Sequence, residues 1–162
     1  MTPELIERRN RERIATLDPA VQAKFSDFVV NALAAGKPIL ITDAKRGFFE
    51  QELLYKCGRD KNGNVVKKSE IKTNARAGMS WHNFGRAVDC CFVDPTGNPT
   101  WEGPWDALGE IGEACGLEWA GRWTGSLREQ DHFQDREGAT LIDLCSAHVD
   151  EINEARAAAA KA

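Results

Sequence analysis

At 162 residues the chain suits a single domain that buries its own core without disulfide staples. Its net charge of −4 supplies no basic field for nucleic acid, and the pairs Arg8-Arg9 and Lys67-Lys68 are too local to make one. No apolar run approaches the roughly 20 residues of a membrane span, so no stable membrane association is expected. Met1–Arg9 lacks the charged-then-apolar order of a secretory signal, which predicts synthesis in the cytoplasm without an N-terminal export signal.

Residues 3–16 are charged and helix-prone. Asp18-Pro19 reads as an N-cap followed by Pro at the first helical position, and Val21, Phe25, Phe28, Val29 and Leu33 then recur at helical spacing up to a terminal Gly36. The apolar run 38–42 is expected to be a buried strand, and Phe48–Lys56 a helix. Residues 57–79 are polar and carry Gly58, Gly63 and Gly78, a long connection of the kind that is often functional. Arg86–Val93 alternates and predicts a strand bearing Asp89, and residues 94–99 a turn. Trp105 to Cys115 predicts a helix closed by Gly116, and His132-Phe133-Gln134 a short strand. Residues 139–160 predict one final helix with a fraying Ala-rich end. No linker to a second domain is visible, so 1–162 reads as one domain.

The five cysteines are odd in number and form no C-x-x-C pair, which predicts buried free thiols rather than a zinc knuckle. On a strand, Cys91 would share the face of Asp89 and Cys90 the opposite one. Among the five tryptophans, core packing is expected for Trp81, Trp101, Trp105 and Trp119, while Trp123 lies on a stretch leading toward the candidate site. His148 is expected to be a surface or core histidine.

His82 and His132 both sit among carboxylates. Zinc takes imidazole nitrogen and carboxylate oxygen, and a catalytic zinc site uses three protein ligands. His82, Asp89 and His132 fill that count, and Glu129, three residues before His132, stands where a carboxylate can move a proton. Spacing alone leaves two readings open: a metal site, or two structural histidines with exposed acids nearby.

The full string is more specific. Ser80-x-His82-x-x-Gly85-x-Ala87-x-Asp89 followed by Glu129-x-x-His132 resembles the zinc D-Ala-D-Ala carboxypeptidase and L-alanyl-D-glutamate endopeptidase family. The resemblance extends through Thr42–Gln51, Leu54-Tyr55 with Gly58-Arg59, Gly116–Trp123 and His132-Phe133-Gln134, about residues 20–135. It looks closest to single-domain phage endolysins that cut the L-Ala–D-Glu bond of peptidoglycan stem peptides. Departures are Lys45 for a tyrosine before Arg46, the shifted Ala120-Gly121, Glu129 where an aspartate is common, and Arg86 for an apolar residue, which makes Arg86 a candidate for substrate contact.

The resemblance implies an α+β, Hedgehog/DD-peptidase-like fold with a small antiparallel sheet and surrounding helices, and few strands separated by helices agree with that class. It implies one catalytic zinc ion on His82, Asp89 and His132, Glu129 as base and then acid, and Arg46 at the oxyanion or substrate. Ser80, Gln51 and Trp123 are expected near substrate or behind the ligands. The implied protein is a monomeric endolysin that hydrolyses stem peptides in the periplasm and relies on a holin-type pore for delivery. The alternatives are a D-Ala-D-Ala carboxypeptidase and a non-catalytic zinc module of the same fold.

Overall fold

In a computed structural model covering residues 1–162, the elements in chain order are α1 (Pro3–Ile14), α2 (Gln22–Ala34), β1 (Ile39–Asp43), α3 (Phe48–Lys56), β2 (Ala87–Val93), β3 (Pro99–Thr100), α4 (Trp105–Ala114), β4 (Glu118–Trp119), β5 (His132–Gln134), α5 (Leu141–Ala147) and α6 (Val149–Lys161). They fall into two units, Met1–Lys45 with Gly85–Glu137 and Arg46–Phe84 with Gly138–Ala162. The expected α+β class is what forms.

The first unit holds the whole sheet, ordered β1-β2-β5-β4 with β3 also pairing β2, every pair antiparallel. The period-two alternation of β2 decides its two faces. Val88, Cys90 and Phe92 join Phe25 and Phe28 of α2, Leu108 of α4 and Phe133 of β5 in the main core. Cys91 and Val93 face the other way and pack with Leu40, Met1 and Ile6. Cys91 therefore shares the face of Asp89, as its place in the strand requires, and burial raises its thiol pKa.

β1 is an edge strand, and α1 covers that edge. The carboxamide of Asn10 accepts from the Ile41 N–H (2.8 Å) and donates to the Ile39 carbonyl (2.8 Å), the pair of bonds another strand would make. Asn10 is 3% exposed, a buried polar group fully used.

α2 begins at Gln22, three residues later than the Asp18 N-cap predicts. Asp18 is engaged elsewhere: its N–H is bound to the Gly85 carbonyl (2.9 Å), and its carboxylate accepts from the Ala20 N–H and from Arg86. Gly36, at φ +70°, closes the helix as expected, with Lys37 N–H returning to the Ala32 carbonyl.

Trp119 is set in a slot of glycines. A Cβ at Gly109 of α4 would stand 2.1 Å from its ring, and so would one at Gly121. Gly109→Ala is a test of this slot. Alanine gains about 1 kcal/mol of helix propensity over glycine, but overpacking a rigid, buried ring costs about 1–3 kcal/mol. A contact this short puts the cost at the upper end, so the net effect is a destabilisation of about 1–2 kcal/mol. It should be read as a lower urea midpoint at unchanged slope, and an unchanged or higher midpoint refutes the slot.

The second unit is built on α3 against α6. Glu52, buried on α3, accepts from the Arg76 guanidinium and from the Ala77 N–H (3.0 Å). Burial pushes its carboxyl pKa up, but the bonds from Arg76 and Ala77 and the charges of Arg76 and Arg156 outweigh this and hold it below its ordinary value. The C-terminal stretch departs from the single helix expected of it. The backbone of His148 (φ −124°, ψ 21°) divides it into α5 and α6. The His148 N–H is bound to the Cys145 carbonyl, its Nδ1 meets the Leu144 carbonyl (2.9 Å), and its ring packs against Phe48 and Phe84. Nor does the Ala-rich end fray: α6 runs to Lys161, Ala159 is buried, and its carbonyl accepts from Lys56.

Candidate metal centre

The string around His82 has a physical reading position by position. His82 lies in a 3-10 turn, Trp81–Phe84, whose entry is held by Ser80 Oγ accepting from the His82 N–H (3.3 Å). Gly85 follows at φ +66°, and a Cβ there would meet the Asp18 nitrogen at 2.9 Å, so glycine is required on both counts. Ala87 is fully buried at the start of β2. Asp89 then pairs across the sheet with His132 of β5, so both side chains leave the same face as direct neighbours. On the other side of Asp89, a shift of register between Ile41 and Asp43 sets Asp43 opposite it. The donor atoms of His82, Asp89 and His132 all lie within 4.8 Å of one another.

A chain of polar contacts fixes how His132 is presented. The Glu118 carboxylate can only accept, and it accepts from Gln134 Nε2 (3.1 Å). Gln134 must therefore turn its Oε1 to His132 Nε2 (3.0 Å), which donates. In the neutral ring this leaves a lone pair on Nδ1, 2.9 Å from Asp89 Oδ1. Two acceptors facing each other at that distance need a cation between them, either a proton or a metal ion. Without metal the proton is favoured: burial lowers the His132 pKa, but the bond and charge of Asp89, the bond to Gln134 and the charge of Glu129 raise it overall. Two imidazoles and a carboxylate, one imidazole braced from behind, match the donor set and bracing of a zinc centre.

Glu129 is exposed and lies on the loop after the turn at 125–127. Its N–H reaches the Ala120 carbonyl (3.3 Å), Arg128 Nε donates to the Gly121 carbonyl (3.1 Å), and the Trp119 indole donates to the Gln130 carbonyl (2.8 Å). The glycine slot that seats Trp119 therefore also seats the Glu129 loop. Glu129 lines a recess of about 420 Å³ together with Trp101, Trp105, Arg128, Gln130 and Asp131.

Arg46 is half-buried. Its N–H is bound to the His82 carbonyl (2.9 Å), its carbonyl accepts from Asn83, and its guanidinium donates to Gln51 Oε1 (2.9 Å). Gln51 is fully buried and donates onward to the Ala75 carbonyl. Trp123 places its ring 5.9 Å from that of His132 and its indole N–H on Glu118 (3.1 Å). Arg86, the candidate for substrate contact, has a side chain 11% exposed that is bound to Asp18 and to the Arg136 carbonyl. Trp105 and Trp119 are core residues as expected, whereas Trp101 is 58% exposed. Sequence reasoning gave no role to Asn83, Glu118 or Gln134. The fixed Gln of His132-Phe133-Gln134, two residues on from a ligand and hence on the same strand face, is the signal that points to Gln134.

An α+β frame presenting a His, Asp, His cluster beside an exposed glutamate defines a metal-centre protein of the peptidase type. Two family profiles, both described as D-alanyl-D-alanine carboxypeptidase, match residues 14–102 and 73–135. The first spans more than half of the sequence, and the chain belongs to this family. The peptidoglycan L-alanyl-D-glutamate endopeptidase CwlK of Bacillus subtilis (strain 168) is 34% identical over 117 residues, 66% of this chain and 66% of that protein. The chain thus spans just under two thirds of that relative's length. Among solved structures, the L-Ala D-Glu endopeptidase ChiX of Serratia marcescens superposes with a TM-score of 0.52 at 23% identity, covering 84% of this chain and 90% of that one. A variant of the vancomycin resistance D,D-pentapeptidase VanY, in complex with Zn(II), gives a TM-score of 0.53 at 20% identity over 73% of this chain and 71% of that one. These two likenesses establish the shared fold.

Proposed function

We propose that the chain is a zinc-dependent L-alanyl-D-glutamate endopeptidase that hydrolyses peptidoglycan stem peptides. The observation that carries the reading is the 34% identity to an enzyme of that name, beside which stands the His, Asp, His cluster of this chain. His82, Asp89 and His132 would hold the ion. Zinc, when bound, acidifies water toward neutrality and polarises a carbonyl. Glu129 takes the proton of the attacking water and returns it to the nitrogen of the leaving amine. Arg46, steadied by Gln51 and by the His82–Asn83 turn, donates to the oxyanion that develops on the scissile carbonyl. Ser80 and Trp123 act by position, one holding the His82 turn and the other flanking His132.

Action on the wall, as a monomeric phage endolysin delivered through a holin-type pore to the periplasm, is the biological setting this chemistry suits. A second reading, D-Ala-D-Ala carboxypeptidase, is favoured by the description of both matching profiles. Digestion of purified peptidoglycan with and without chelator separates the two. Mass spectrometry should find new peptides beginning at D-Glu, formed only without chelator. Release of D-Ala alone overturns the endopeptidase, and hydrolysis indifferent to chelator overturns the zinc centre.

A further inference from the structure

The recess beside Glu129 has a wall that no step above uses. Trp101 is 58% exposed, yet its main chain is fixed, because the buried Trp105 donates its indole N–H to the Trp101 carbonyl (3.0 Å). Trp105 is itself clamped edge-on by Phe92, with ring centroids 4.7 Å apart. An exposed indole on a rigid base is a flat, apolar platform with little left to order on binding. Arg128, also in the recess, has its Nε on the Gly121 carbonyl. Peptide bonds of the substrate have no special need of such a face, but a sugar ring, apolar on its flat sides and polar at its rim, does.

The chemistry of the substrate supplies a sugar close to the cut. The L-alanine of a stem peptide is joined directly to the lactyl arm of a muramyl residue. Cleavage on the carboxyl side of that alanine therefore leaves the sugar only about 7 Å of extended chain from the scissile carbonyl. For a D-Ala–D-Ala bond, at the far end of a pentapeptide stem, the same span is about 17 Å. We propose that the Trp101 recess is a glycan subsite that receives the muramyl sugar next to the scissile bond, with the ring against Trp101 and polar rim groups toward Arg128 and Gln130. This rests on the endopeptidase reading. It makes the protein selective for stem peptides still attached to glycan.

The test compares two substrates with the same stem, one bearing the GlcNAc–MurNAc disaccharide and one bare. The zinc-loaded protein should cleave the first with kcat/KM about tenfold higher. Trp101→Ala should collapse that ratio toward one, and Trp101→Phe should keep part of it. Equal cleavage of both substrates by the unaltered protein, or a Trp101→Ala loss that falls equally on both, overturns the subsite. Direct titration of both ligands into Glu129→Gln protein, followed by tryptophan fluorescence, reads the preference without turnover. If the bond cut proves to be D-Ala–D-Ala, the endopeptidase reading fails, and the subsite next to the scissile bond fails with it. If the L-Ala–D-Glu bond is cut with no preference in either assay, the endopeptidase reading stands and the subsite alone fails.

Discussion

Glu129→Ala should retain one equivalent of metal and lose hydrolysis by about 10²–10⁴-fold, the usual contribution of a positioned general base. Metal retention follows because Glu129 is outside the His82, Asp89, His132 donor set. The loss follows from its place: an exposed carboxylate at a recess, on a loop tied to the Ala120–Gly121 turn and to the Trp119 indole, with its charge felt at His132. Glu129→Asp keeps the acid and shortens its reach by one methylene, so it should fall between. Elemental analysis gives the metal content, and appearance of new amino termini gives the rate. Undiminished hydrolysis by the alanine protein removes Glu129 from the mechanism, and loss of metal would make it a ligand instead.

Gln134→Leu should weaken zinc binding by about 10–100-fold while leaving the fold intact. Gln134 passes the acceptor-only character of Glu118 to His132, so that Nε2 carries the hydrogen and Nδ1 presents the lone pair. Leucine fills the space but ends the relay, and the ring is then free to rotate or change tautomer. Competition against a chelating dye measures the affinity, and circular dichroism checks the fold. Unchanged affinity would show that packing alone orients His132.

The parts of this architecture legible in the sequence are those written in short-range pattern. Strand β2 shows its alternation, α3 runs from Phe48 to Lys56 as expected, and the string from Ser80 to Asp89 encodes turn, glycine and strand in one stretch. What was hidden depends on partners distant along the chain. Asn10 looks like one more polar residue of a charged helix until β1 lies beside it, and Glu52 like a surface acid until Arg76 and Ala77 close over it. β3 and β4, at two residues each, are too short for any periodicity to show. At the break the His148 ring packs against Phe48 and Phe84, and the helical pattern runs through it without a proline or glycine. Within the candidate site, the residue types of the metal set were readable, and the bracing behind His132 was not.

The carboxamide of Asn10 matters beyond the single chain. An edge strand with open N–H and C=O groups is a template on which another molecule can add a strand. Here the outward groups of Ile39 and Ile41 are already occupied, and the strand at the opposite end of the sheet is only two residues long. Crowded copies of the protein thus meet a sheet with its ends stopped, and strand-by-strand aggregation has no ready place to begin.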